Sequence, residues 1–520
     1  MGNLFLFALL ILMSRTNSFA ATFTWAVKTG NYAAICSDSK GNLYTTAGTP
    51  VAKYNSVGTL IKSFNNAGSG TFTGLAIRTD SLDNIYIAGE FTNIFKLGNI
   101  SIASKGSDDA VLIKMDSTGK VLWMISGGGT GIDMSNAIAI DNEGNVYVAG
   151  EYYSASAVFS SQTITGKGLI NLFTAKYDKD GIFQWIRTAE ASNQNNDIQC
   201  GSIAVDQSGN CYVAGSYYDS AYFNGKLYTT INHGSNAFIV SFSGQGNFLW
   251  FKQIANSGVA SIQIDKGGNL YTTGYFGPQT DFDNIHLEVK GGGMYVGNIF
   301  ISKMDASGKV IWANRAGGDY SDNGAALVLD ASNNIYVTGS FSDTADFGNS
   351  KLISNGEHDF FVAKYDNDGN KLWVVGTGGD AEDGSYSLCL NPAQTMVYII
   401  GSSQIGPIRY GNKVLTDPTE AGFNFIAAIG DINAGIAQPN QVIGLQVYPN
   451  PSSGHFNIYL NQATNMGSKL RIFTMEGRQL YTAQIFPGQN EAFVENLPVG
   501  IYLLSIENSN AVINQKIIVQ

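Results

Sequence analysis

Little of this chain is charged: Asp, Glu, Lys and Arg together make up 14% of 520 residues, against roughly 25% in an average soluble domain. The charges lean acidic, 41 against 30, for a net −11. That excludes nucleic acid as a partner, because phosphate backbones are held by basic surfaces. Histidine is scarce, and His233, His286, His358 and His455 stand at no metal-ligand spacing, so each reads as a loop or surface residue. No nucleophile motif or Walker loop occurs. The abundant Ala, Glu, Lys and Leu of a coiled coil or helical solenoid are also missing. One apolar run, residues 4–13, is about half the ~20 residues a membrane-spanning helix needs. Small residues at Ser18 and Ala20 follow it, so residues 1–20 read as a secretory signal peptide cleaved after Ala20, although no Lys or Arg precedes the run. No segment of the mature chain is then long and apolar enough to span a bilayer.

What the chain has in quantity is glycine (61), tyrosine (26) and phenylalanine (29), within a 44% apolar composition. These amounts exclude disorder and point to an all-β fold. Internal repetition dominates. The phrase GNVYVAG at residues 144–150 recurs with its tyrosine at Tyr44, Tyr86, Tyr147, Tyr212, Tyr271, Tyr336 and Tyr398, a mean spacing of 59 residues. A short apolar strand and an Asp-x-x-Gly-Asn hairpin turn precede each phrase, where glycine is free to take positive φ. A third strand follows about 25 residues on, and a second Asp-x-x-Gly turn leads to a fourth. Trp123, Trp185, Trp250, Trp312 and Trp373 mark that fourth strand at spacings of 62, 65, 62 and 61. Four antiparallel strands repeated seven times predict a seven-bladed β-propeller with four-stranded blades. The seventh repeat lacks a fourth strand, and Trp25 precedes the first repeat. The N-terminal strand is therefore expected to complete the last blade, leaving no open edge. Lys62 stands where other repeats carry Trp, which makes the first blade the most divergent.

The four cysteines give no predicted disulfide. Hairpin pairing that sets Asp206 opposite Cys211, and Cys200 near Tyr217, leaves the two thiols roughly 20 Å apart at ~3.3 Å per residue. A bridge needs Cα atoms within about 7 Å. Cys36 and Cys389 occupy equivalent strand positions in the first and last repeats. All four are expected as buried free thiols.

The D-x-x-G-N-x-Y-x-x-G phrase, the Phe347-Gly348-Asn349 triplet and D-x-F-x-x-K-Y-D resemble the SBBP bacterial β-propeller repeat family across residues 21–431. That family implies a fold and no single activity. Residues 432–441, INAGIAQPNQ, read as a linker. Residues 442–520 balance four basic against four acidic side chains, and their alternating segments suggest a small β-sandwich. This stretch resembles the type A C-terminal sorting domain of the bacterial type IX secretion system. The resemblance is carried by Tyr448, Pro449, Asn450, Pro451, Gly454, the Glu476-Gly477-Arg478 turn, Gly500 within LPVGIYLLSI, and Lys516 within KIIVQ. It implies a type IX translocon and its sorting peptidase as partners, passage through the periplasm to the outer cell surface or medium, and anchoring to surface lipopolysaccharide or release.

Candidate site residues are sparse. Asp133, Asp197, Asp322 and Asp383 precede the ends of first strands by a similar interval and are read as an acidic collar at one channel mouth, able to hold a cation or basic group. Capping of its own loop by each aspartate is the preferred reading, and the collar is kept as the candidate site. Tyr153 and Tyr218 follow a repeated aromatic without being repeated themselves, which makes them candidate ligand aromatics. Asp178-x-Asp180-Gly181 and Asp366-x-Asp368-Gly369 resemble openings of calcium loops, but Ala189 and Thr377 stand where the closing Glu would be. The hairpin-turn reading is preferred, and no cofactor is assigned. The long second-to-third-strand connections are expected to open as binding loops on the collar face. The function expected is that of an exported surface or secreted binding protein for a glycan or protein ligand. The alternative is an extracellular polysaccharide lyase or hydrolase using channel-mouth carboxylates.

Overall fold

The computed structural model describes residues 20–30, 32–47, 50–230, 234–291, 297–404, 407–410, 413–416, 422–432, 445–448, 452, 454–460, 468–474, 478–485, 491–495, 497–507 and 512–520. Strands account for its regular structure, with no helix among the described residues. It divides into two compact units, Phe19–Asp431 and a second containing Ile432–Gln520.

Six sheets of the larger unit each take four consecutive long strands in antiparallel order. The third shows the pattern: Asp133–Ile140, Val146–Tyr152, Asn171–Tyr177 and Phe183–Ala191. The seventh combines Asp383–Leu390, Met396–Ser403 and Phe423–Ile432 with the N-terminal strand Ala20–Thr29, which lies beside Phe423–Ile432. Each first strand packs beside the first strand of the next sheet, and the seventh packs beside the first, Tyr32–Ser37.

The repeated phrase specifies one hydrogen-bonded turn. Asp141 Oδ1 accepts the amides of Glu143 and Asn145 at 3.0 and 2.9 Å, while Oδ2 accepts Asn145 Nδ2 at 2.8 Å and the Tyr147 hydroxyl at 3.3 Å. Asp38, Asp80, Asp206, Asp265 and Asp330 repeat the arrangement. Each such tyrosine is thus buried with its polar end satisfied.

Tryptophan joins one sheet to the next. Trp185 Nε1 donates to Gly244 O at 3.1 Å and Trp250 Nε1 to Ala306 O at 3.1 Å, each a carbonyl in the following sheet's second turn. Gly246 in one such turn has φ +79°, and a Cβ there would lie 2.8 Å from the Trp185 ring. Both the backbone conformation and the neighbour demand glycine. Trp25 stands in the same relation to Gly58, whose added Cβ would lie 2.6 Å from that indole.

The long connections are not open loops. They fold into two-stranded hairpins, among them Ser156–Phe159 with Gln162–Thr165 and Ser220–Phe223 with Lys226–Thr229. These two extend the outer edges of the second and third sheets to six strands. The hairpins bury Phe159, Phe223, Phe282 and Phe347, so they shield edge strands and apolar surface. Two further expectations change. A bulge at Gly201 sets Cys200 opposite Gly215, and Val205 rather than Asp206 opposite Cys211; all four cysteines are free and buried. Asp178 and Asp366 accept the amides two and four residues on, as hairpin turns do.

In the smaller unit, a three-stranded sheet (Leu445–Tyr448, Phe456–Leu460, Glu491–Val494) and a four-stranded sheet (Ser468–Thr474, Gln479–Ile485, Gly500–Glu507, Val512–Val519) share one core. That core includes Phe456, Ile472, Leu504 and Ile517.

Candidate functional site

Three of the four collar aspartates are buried: Asp133, Asp322 and Asp383 are at most 2% exposed. Each is spent locally. Asp133 Oδ2 accepts Gly129 N at 2.7 Å and the Ser154 hydroxyl at 2.8 Å. Asp322 accepts Gly318 N at 2.6 Å and Ser342 N at 3.0 Å. Asp383 Oδ2 accepts Gly379 N at 2.5 Å. Burial raises all three above the ordinary carboxylate range, Asp322 to about 6. Asp197 differs because Ile198, not Asp197, pairs with the repeated aromatic Tyr217. That one-residue offset puts Ile198 in the buried position and leaves Asp197 half-buried. The structure therefore replaces the expected open collar with separate anchors inside the junctions between sheets. Among the described residues no three His, Cys, Asp or Glu side chains are grouped to hold a metal.

Beside Asp197, the Glu151 carboxylate is buried and accepts the Cys200 amide at 2.7 Å, and burial pushes it up to about 7. Tyr153 is half-buried, its hydroxyl raised by burial and by the charges of Glu151, Asp197 and Glu90. Tyr218 is 44% exposed. The two tyrosines occupy equivalent positions in adjacent sheets, and Gln404 holds that position in the seventh.

Sequence spacing missed a recess of about 230 Å³ between the sixth and seventh sheets, lined by Ser340, His358, Glu382, Tyr386, Ser402 and Gln404, with Asp383 and Gly384 completing it. Its geometry follows from departures from the repeat. A β-bulge interrupts each first strand three residues past the buried collar position, and a bulge re-aims the side chain it carries. Six of the bulges carry Ala33, Leu75, Asn136, Gly201, Ala260 and Ala325. The seventh carries Tyr386, 48% exposed, whose hydroxyl bonds to Ser402. The facing pair Met134–Glu151 of the third sheet becomes Gly384–Ser402 in the seventh. Those two small residues leave the space.

Glu382 Oε2 accepts Gln404 Nε2 at 2.6 Å, and Glu382 O accepts the Gln404 amide at 3.1 Å. His358 is held by its carbonyl, which accepts Asp383 N at 2.8 Å, while its buried Nδ1 has no partner. His233 lies outside the described residues, and His286 bonds to Asp281 at 2.6 Å on the surface.

In the smaller unit Tyr448 ends its first strand, and Gly454 at φ +93° has its carbonyl bonded by Leu497 N at 3.2 Å. Arg478 is exposed, and its carbonyl accepts Thr474 N at 2.9 Å. Gly500 begins the strand paired with the last one, in which Lys516 lies opposite Leu503. Pro449, Asn450, Pro451 and Gly477 lie outside the described residues.

Comparison with known proteins agrees with both halves of the sequence reading. Residues 446–520 match the secretion system C-terminal sorting domain, and residues 184–216 match the β-propeller repeat family known as SBBP. The chain thus joins β-propeller repeats to a type IX sorting domain, which marks it for export to the cell surface or the extracellular space through that machinery. An uncharacterized WD repeat-containing protein of Acanthamoeba polyphaga mimivirus is 26% identical over 239 residues, covering 38% of this chain and 16% of that protein. Among solved structures, the extracellular domain of a B. thetaiotaomicron hybrid two component system aligns at 12% identity and TM-score 0.18, covering 94% of this chain and 87% of that one. Sqt1 from Chaetomium thermophilum aligns at 8% identity and TM-score 0.34, covering 86% and 96%. No helix among the described residues is long and apolar enough to cross a membrane.

Proposed function

We propose that the chain is an exported binding protein whose seven sheets are the blades of a closed propeller, with residues 21–29 completing the seventh blade. The cyclic packing of the first strands and the Trp25–Gly58 contact support closure. Residues 1–20 act as its signal peptide, 21–431 as the propeller, 432–441 as a linker and 442–520 as the sorting domain. The type IX translocon and its sorting peptidase recognise that last domain, and lipopolysaccharide is the anchor if the cargo stays on the surface. The observation that carries the binding role is the recess between the sixth and seventh blades, where a repeated scaffold gives way to unrepeated His358, Glu382, Tyr386 and Gln404. A rigid scaffold bearing one such departure is how propellers of a common fold acquire separate ligands. The ligand class is a glycan or a protein. Purified full-length chain tested against glycans and envelope proteins, with and without calcium, checks this; silence toward both classes would refute it.

A further inference from the structure

Chemistry narrows what the recess between the sixth and seventh sheets holds, on the reading that it is the binding site. Its lining contains two carboxylates, from Glu382 and Asp383, and neither lysine nor arginine. An anionic ligand would enter without a counter-charge, beside carboxylates that repel it, on a chain of net charge −11;. Uronic acids, sulfated sugars and phosphates are disfavoured on that ground.

The remaining groups suit hydroxyls better than an amine. Glu382 accepts from Gln404 through Oε2, which fixes the carboxylate and the amide side by side. A carboxylate–amide pair offers acceptors and a donor side by side, the combination that adjacent hydroxyls of a sugar ring satisfy. His358 borders the recess, and an imidazole there can donate to or accept from a ligand hydroxyl. Tyr386 projects from its bulge with 48% of its surface exposed, its hydroxyl tied to Ser402. The tether holds the ring still and presents an aromatic surface at little cost in side-chain entropy. An ammonium group would use only the acceptors and leave the amide donor idle. The volume, about 230 Å³, lies below the ~300–1,000 Å³ of sites for drug-sized ligands, so a single ring or chain end enters.

We infer that this recess binds one neutral hexose or N-acetylhexosamine unit of a glycan, with the sugar's apolar face on Tyr386 and its hydroxyls on Glu382, Gln404 and His358.

The test uses the full chain on an array of neutral, uronic-acid-bearing and sulfated oligosaccharides, with a lysine-rich peptide alongside. Titration calorimetry follows with the neutral oligosaccharide that binds best. Wild type should bind neutral oligosaccharides, and Tyr386→Ala and Glu382→Gln should each weaken that binding at least tenfold without moving the thermal unfolding midpoint. Tyr386→Phe should retain most of it, because the aromatic face survives. Neutral-glycan binding untouched by Tyr386→Ala and Glu382→Gln would overturn the site. Binding confined to acidic glycans or to the peptide would overturn the ligand class while leaving a binding protein. Failure to bind any glycan would overturn the sugar assignment, and capture of a purified envelope protein would then still sustain the broader reading.

Discussion

Asp359 and Asp383 aim carboxylate oxygens at one point beside Gly378: a methyl placed on that glycine would lie 2.2 Å from Asp359 Oδ1 and 2.8 Å from Asp383 Oδ2. Asp109 and Asp133 meet in the same way beside Gly128, at 2.7 and 2.9 Å. In the third and fifth sheets the third strand begins with asparagine. Asn298 Nδ2 donates to Gly318 O at 2.9 Å and Asn171 Nδ2 to Gly168 O at 3.2 Å. Asp109 and Asp359 lack that donor when ionised, and Oδ1 of each is buried without a partner.

Burial, reinforced by the Asp383 charge, pushes Asp359 from 3.8 up to about 6. The folded state therefore holds this proton more tightly than the unfolded state. The resulting stabilisation is complete below the ordinary carboxylate range and is lost as pH rises through about 6. Asp359→Asn restores the donor at every pH. The variant should be more stable than wild type by on the order of 1 kcal/mol near pH 8, and level with it near pH 4. Urea unfolding at the two pH values measures the difference, and a variant less stable at high pH would sink the argument.

How much of this was legible from the chain alone depends on periodicity. The turn network of Asp141, Asn145 and Tyr147 recurs often enough to be read directly, and Trp25 was visible as a fourth-strand residue displaced to the N-terminus. Burial of the aspartates was not legible. Asp197 and Asp133 look equivalent by spacing, yet a one-residue register difference gives the buried place to Ile198. The long connections read as open loops because their buried residues, such as Phe159 and Phe223, are spaced among turn residues. The recess was hidden for a different reason: it is defined by small residues, Gly384 and Ser402, and by one aromatic on a bulge. Comparing Tyr386 with Asn136 and Ala325 at aligned bulges would have found it.

Trp25 should behave as a structural member of the seventh sheet. Its ring centroid lies 5.8 Å from that of Tyr398, and it packs on Gly58 of the first sheet. The side chain is half-buried, so Trp25→Ala should cost less than the ~3–5 kcal/mol of a fully buried aromatic, about 2 kcal/mol. Denaturant unfolding of the whole chain gives the number. An effect under about 0.5 kcal/mol would be that of an ordinary surface substitution.

The hairpin Ser220–Phe223 with Lys226–Thr229 should prove to be an edge cover rather than a binding loop. Phe223 is buried, with ring centroids 4.9 Å from Phe238 and 4.5 Å from Phe251, and its strand pairs with Phe183–Ala191. Phe223→Ala should destabilise by about 3–5 kcal/mol and increase aggregation as the strand edge is uncovered. Lys226→Ala at the exposed turn should do neither. Calorimetry and light scattering on the two variants separate the outcomes; equal behaviour would argue against the edge-cover role.

The terminal strand should matter for sorting and not for the propeller. Val512–Val519 pairs with Gly500–Glu507, and Ile517 and Val519 enter the core of the smaller unit. The last residues are also latched: Ser452 N donates to Ile518 O at 2.9 Å and Gln520 N to Ser452 O at 2.8 Å. Ser452 directly follows the YPNP segment, so the latch ties the two ends of the sorting domain together. Removing residues 516–520 takes out two core side chains and both latch bonds, which a unit this small tolerates poorly. Among the described residues, no hydrophobic cluster of the larger unit draws on Ile517 or Val519, so its thermal transition should stay where it was. The truncated chain should accumulate in the periplasm, read by cell fractionation, while calorimetry shows the main transition unmoved. Arrival of the truncated chain at the cell surface would remove the terminal strand from the sorting signal, and a shifted main transition would show that the two units do not fold independently.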